Sequence, residues 1–140
     1  MADILHQLSI NVSPERVYEA ITQQEGLANW WAQDTVAEAK IGMVAEFGFK
    51  DREVVFKMRI DLLEANKKVM WQCLGGSPEW EDTTLCFGLT RNSNGTVVCF
   101  SHRGWKSTEG IFVICNYDWE RYLSSLKSYL ETGKEEPHSE

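Results

Sequence analysis

The sequence predicts an α+β protein in which a curved antiparallel sheet wraps around one long C-terminal helix. Three observations predict it. Across residues 109–132 the apolar side chains of Phe112, Cys115, Trp119, Tyr122, Leu123, Leu126 and Leu130 recur at steps of three and four, which is one face of an α-helix. Upstream, across residues 35–103, the apolar period is two, in short segments separated by turn residues. One parity of those segments is almost wholly apolar and the other mixed, as in an antiparallel sheet wet on one side. The apolar sheet face and the apolar helix stripe each need a partner, and covering one another is the economical solution.

Residues 4–12 alternate, with Ile4, His6, Leu8, Ile10 and Val12 on the inner side of a first strand. Ser13-Pro14-Glu15 reads as an N-cap followed by proline at the first helical position, opening a short helix through Val17, Tyr18 and Ile21. Gly26 is expected to break it, and Leu27-Ala28-Asn29-Trp30-Trp31 to make a second short helical turn. Six strands follow, at 35–39, 43–49, 54–63, 68–73, 83–91 and 96–103. Gly42, Lys50-Asp51-Arg52, Asn66-Lys67, Gly75-Gly76-Ser77-Pro78 and Asn92-Ser93-Asn94-Gly95 supply the turns, and connections so short make neighbouring strands antiparallel.

Parity assigns Met43, Ala45, Phe47 and Phe49 to the inner face, then Val54, Phe56, Met58, Ile60 and Leu62, with Leu63 pointing outward. Val69, Trp71 and Cys73, then Leu85, Phe87 and Leu89, then Val98, Phe100 and His102 complete it. At the final helix Ser107 and Thr108 offer hydroxyl caps, Glu109 suits the positive end of the dipole, and Gly133 is the stop. Residues 111–115 are apolar on nearly every side, so the first turns are expected to be covered from more than one direction. Two dozen residues at ~1.5 Å each give a rod on the order of 35 Å, long enough to cross the whole domain. A single domain is expected over 1–133, with 134–140 a polar tail.

Of the 140 residues, 43% are hydrophobic, enough for one ordinary core. The 14 basic and 21 acidic residues give a net charge of −7, which repels phosphate backbones and anionic lipid. Neither nucleic acid nor a membrane is therefore an expected partner. No apolar run approaches the ~18 residues of a membrane span, and the first residues lack the features of a signal peptide. A cytoplasmic location is the expectation. Cys73, Cys86, Cys99 and Cys115 contain no C-x-x-C pair and the three histidines stand apart, so no metal, cofactor or disulfide framework is expected. The chain also lacks G-x-S-x-G, H-E-x-x-H, G-x-G-x-x-G and a phosphate loop.

The segments SPERVYEAITQQEGLANWW, WQCLGGSPEWEDTTLCFGLT, GTVVCFSHRGW and DWERYLSSLKSYLETG carry a family resemblance. Its markers are the Trp30-Trp31 pair, Trp71, Trp80 with Thr84, His102-Arg103-Gly104-Trp105, and Trp119 with the Leu130-Glu131-Thr132-Gly133 ending. With this order of elements, the chain resembles the helix-grip fold of the START-like (SRPBCC) superfamily. Within it, the branch is that of the ninety-kilodalton heat-shock chaperone ATPase activator-like and polyketide cyclase-like domains. Glu135 departs from the glycine common at that point of the ending, which touches only the tail.

The resemblance implies a hollow between sheet and helix that takes a small apolar molecule. Phe47, Phe56, Trp71, Phe87, Phe100 and Trp119 are its expected walls, Phe112 and the Trp30-Trp31 pair its margins, and His102 its main polar contact. A dry hollow of ~300 Å³ would cost on the order of 7 kcal/mol, comparable with a domain's net stability, so such a space is wet, occupied or filled by side chains. Three functions fit. A binding module for a small hydrophobic ligand needs only the apolar inner face and is favoured. A cyclase- or aromatase-like enzyme needs His102, with Asp118, as acid and base. A chaperone-regulating interaction module needs an exposed apolar patch, which Lys57, Arg59, Asp61 and Arg103 disfavour on the outer sheet face. Either a monomer or a homodimer is compatible with all three.

Overall fold

β1 (Ala2–Ile10) leads into Ser13, whose hydroxyl accepts from the Arg16 amide at 3.4 Å and caps α1 (Pro14–Thr22). Proline sits there without loss, because the first helical amide has no partner within the helix. α2 (Gln24–Trp30) begins after a break at Gln23, one turn earlier than Gly26. Gly26 lies inside α2, where a Cβ would stand 2.6 Å from the Ala20 Cα. Its role is therefore close approach between the two helices and not termination. The Trp30 indole seals the same crossing by donating to the Ala20 carbonyl at 2.8 Å.

The structure, a computed structural model, describes residues 2–32, 34–49, 52–76, 80–106 and 109–133. The Lys50-Asp51 and Ser77-Pro78 turn residues, the Ser107 and Thr108 caps and the tail 134–140 lie outside the described residues. β2 (Asp34–Val36), β3 (Val44–Phe49), β4 (Val54–Glu64), β5 (Lys68–Gly75), β6 (Thr84–Asn92) and β7 (Gly95–Trp105) join β1 in one sheet. Its order is β1-β7-β6-β5-β4-β3-β2, every pair antiparallel, and it curves around α3 (Ile111–Thr132). The expected α+β helix-grip architecture is present, with every predicted element in place.

Details of face and length differ at three points. β2 ends at Val36, and Met43 precedes β3 with 38% of its surface exposed. In β4 the register steps from Ile60↔Trp71 to Leu62↔Met70, so Asp61 is an extra residue on that strand. The bulge inverts parity beyond it: Leu63, paired with the buried Val69, packs on the core in place of Leu62. α3 starts from Gly110 with no side-chain cap, leaving Glu109 outside the helix.

At ~1.5 Å per residue the 22 residues of α3 measure about 33 Å. Trp119, Leu123, Leu126 and Leu130 are buried from it, and Gly133 closes it at φ 78°, its amide donating to the Tyr129 carbonyl at 2.8 Å. The first turns behave otherwise: Val113 and Ile114 are 59% and 54% exposed, so they are covered from one direction only.

Candidate functional site

The space between sheet and helix is occupied by Trp31, delivered from the C-terminal end of α2. Its ring lies 4.2 Å from Phe47, 5.2 Å from Trp119 and 6.2 Å from Trp71, centre to centre. Behind it Phe100 meets Trp119 at 4.3 Å, Phe87 meets Phe100 at 5.0 Å, and Trp71 meets Phe87 at 5.3 Å. Offset and edge-on aromatic contacts of this kind add to the burial gain of each ring. Trp30, Phe47, Trp71, Phe87 and Phe100 are thus solid core.

The open space is displaced toward one end of α3. A cleft of about 300 Å³ lies where Phe49, Val54 and Phe56 of the β3–β4 hairpin and Trp80 face Ile111, Ile114, Cys115, Asp118, Trp119 and Tyr122 of α3, with Trp31 in its wall. Of the expected site residues, Trp31, Phe56, Asp118 and Trp119 border it, whereas Phe112 packs edge-on against Trp105 at 5.6 Å. Asp118 is held by Arg121 at 3.1 Å. Trp80, a packing anchor first and a ligand wall second on its sequence, borders the cleft and donates its indole N–H to the Cys115 sulfur at 3.2 Å. Ile114 joins because the exposed side of the first helical turns is also the side of the cleft. Neither placement has a sequence signal beyond the apolar character of these residues.

His102 does not border the cleft. Fully buried, it receives the Trp119 indole N–H on Nδ1 at 3.1 Å, so its own proton sits on Nε2 and is given to the Thr83 hydroxyl at 2.7 Å. Thr83 passes its proton to the Trp80 carbonyl at 2.5 Å. Burial pushes the imidazole down to about 3, which keeps it neutral. The enzyme alternative would need His102 as acid or base, whereas in this geometry the imidazole is engaged at both nitrogens and bridges β7 to α3. Thr83 is the partner that sequence reasoning missed, because a strand-edge threonine carries no mark of its task. His6 reaches the Asn116 carbonyl at 3.2 Å, and Arg103 pairs with Asp3 on the surface at 3.0 Å.

Two of the four thiols are held in their protonated form. Burial pushes Cys73 up to about 11 and raises Cys86, which reduces the reactive thiolate at neutral pH. Among the described residues no three His, Cys, Asp or Glu side chains gather as metal ligands, and no helix is long and apolar enough to cross a membrane.

A curved sheet gripping a helix, with an apolar cleft at one end of it, defines the protein as a helix-grip domain of the START-like type. The model of the Activator of Hsp90 ATPase homolog 1-like protein family matches residues 11–131. The chain belongs to that family. It is similar to the Aha1 dimer from Colwellia psychrerythraea, at 36% identity over 96% of this chain and 99% of that one, with a TM-score of 0.87. The AHSA1-like protein from Aeromonas hydrophila shares the fold at 16% identity over 94% of each chain, TM-score 0.74. CalU16 from Micromonospora echinospora does so at 15% identity over 91% of this chain and 73% of that one, TM-score 0.73. Among curated proteins, none matches significantly.

Proposed function

We propose that the protein binds a small, neutral, largely apolar molecule in the cleft between α3 and the β3–β4 hairpin, and that it does so as a binding module and not as an enzyme. The observation that carries this is the cleft itself: about 300 Å³, walled by Trp31, Phe49, Phe56, Trp80 and Trp119, at the lower end of the size of small-molecule sites. The neutral His102, bonded at both nitrogens and outside the cleft, is not placed to act as its acid or base, which favours binding over catalysis. Cys73, Cys86, Cys99 and Cys115 form no disulfide, which fits a cytoplasmic setting. A panel of neutral aromatic and alicyclic compounds is expected to yield binders that raise the melting temperature. At a hundredfold excess over its dissociation constant a binder adds about 2.7 kcal/mol. Ile114→Glu, which puts a charge into an exposed part of the wall, is expected to fold normally and lose most of that shift. A panel with no shift at all removes the reading.

A second reading concerns assembly. Val113, Ile114 and Tyr117 form an apolar patch on α3, 59%, 54% and 63% exposed, away from the charged outer sheet face. The Colwellia psychrerythraea relative is a dimer. We propose that this chain pairs with a second copy through the patch. Light scattering on the eluted protein is expected to give about twice the chain mass of 16.1 kDa, and the double variant Val113→Glu, Tyr117→Ser a single mass. A monomer in the unsubstituted chain removes this reading while leaving the cleft untouched.

A further inference from the structure

We propose that the Trp31 indole N–H is the polar anchor of the cleft, selecting neutral ligands that carry a carbonyl or ether oxygen over bare hydrocarbons. The proposal rests on the cleft being a ligand site. Trp31 is fully buried, its ring is part of the cleft wall, and its Nε1 has no hydrogen-bond partner. Buried N–H groups are nearly always satisfied, so an orphan in the wall of a cavity marks a place for an acceptor. The protein supplies acceptors to its neighbours: Trp30 has the Ala20 carbonyl, Trp80 the Cys115 sulfur and Trp119 the His102 ring. Around Trp31 stand the rings of Trp30, Phe47, Phe49, Trp71, Trp119 and Tyr122, of which Tyr122 alone carries an oxygen, and that hydroxyl does not accept from the Trp31 indole. The missing acceptor is then the ligand's. A net charge of −7 and the Asp118 carboxylate at the wall oppose an anionic one, which leaves a neutral oxygen.

The Trp105 indole is also buried without a partner, but Trp105 does not line the cleft and serves as an internal control. The matched probes are tetralin and 1-tetralone, which share a skeleton and differ by one carbonyl. Tetralone is expected to bind about tenfold tighter, as one buried hydrogen bond implies. In nitrogen-15 spectra the Trp31 indole proton is expected to move downfield with tetralone and not with tetralin, while that of Trp105 stays in place. Trp31→Phe, which keeps an aromatic ring, is expected to bring the two affinities together. If that variant fails to fold, the spectra of the unsubstituted protein decide alone. Equal binding of both probes, a tetralone preference that survives Trp31→Phe, or an unmoved Trp31 resonance overturns the anchor and leaves the cleft reading standing. Binding of neither probe overturns both.

Discussion

Replacing Trp119 by alanine is expected to remove about 3–5 kcal/mol of stability, at the upper end for a single core residue. The ring touches Phe100 at 4.3 Å, Trp31 at 5.2 Å and Tyr122 at 5.4 Å, so its loss opens the centre of the core where no one neighbour can collapse into the gap. The alanine also strips the His102 Nδ1 of its donor. Trp119→Phe separates these effects. It keeps most of the packing and is expected to cost about 1–3 kcal/mol, mainly for the unpaired buried nitrogen. Urea unfolding midpoints at unchanged m-value measure both. An alanine effect below about 1 kcal/mol would show that α3 is not what the sheet is organised around.

The second large effect is acid sensitivity through His102. Its folded value is depressed to about 3 from an ordinary 6.5, burial being the cause. Between those limits the unfolded chain binds a proton that the native state refuses. The contribution is therefore fully present above about 6.5 and is lost as pH falls toward 3, with a slope approaching about 1.4 kcal/mol per pH unit. From pH 6.5 down to 5 most carboxylates of the unfolded chain remain ionised, so the imidazole slope is read there with least interference. His102→Leu is expected to be less stable at pH 7, because it orphans the Trp119 indole. The gap should then narrow on acidification as the native protein weakens and the variant does not. A native stability that stays flat from pH 7 to 5 would show that His102 accepts its proton while folded.

The order of elements was legible because each period reports on one neighbour only. Alternation along Val54, Phe56, Met58 and Ile60 needs nothing but a sheet with one dry face, and the α3 stripe needs nothing but that face opposite it. Legibility stopped where a third element intervened. That the second tryptophan of a helical corner, Trp31, would enter the space between sheet and helix cannot be read from strand parity, which counts inward side chains without saying who fills the room among them. The same blindness hid the Asp61 bulge, since one surplus residue exchanges Leu62 and Leu63 without altering composition. His102 was placed on the correct face, but its role depended on Thr83 and Trp119, 19 and 17 positions away. The cleft moved for a related reason: with the centre filled by rings, the apolar space lies where α3 begins and its apolar first turns stand clear of the sheet.

All six tryptophans belong to one unbroken series of ring contacts. Trp30 and Trp71 each lie within 6.2 Å of Trp31, which reaches Trp119 at 5.2 Å, and Trp119 continues through Trp80 to Trp105 at 6.1 Å a step. Chromophores this close share excitation energy and couple their transition dipoles. Light absorbed by any one indole migrates before it is emitted, so the emission spectrum, the near-ultraviolet dichroism and the response to a quencher belong to the whole array. A molecule entering the cleft touches three members of that array directly and perturbs the optical signal of all six.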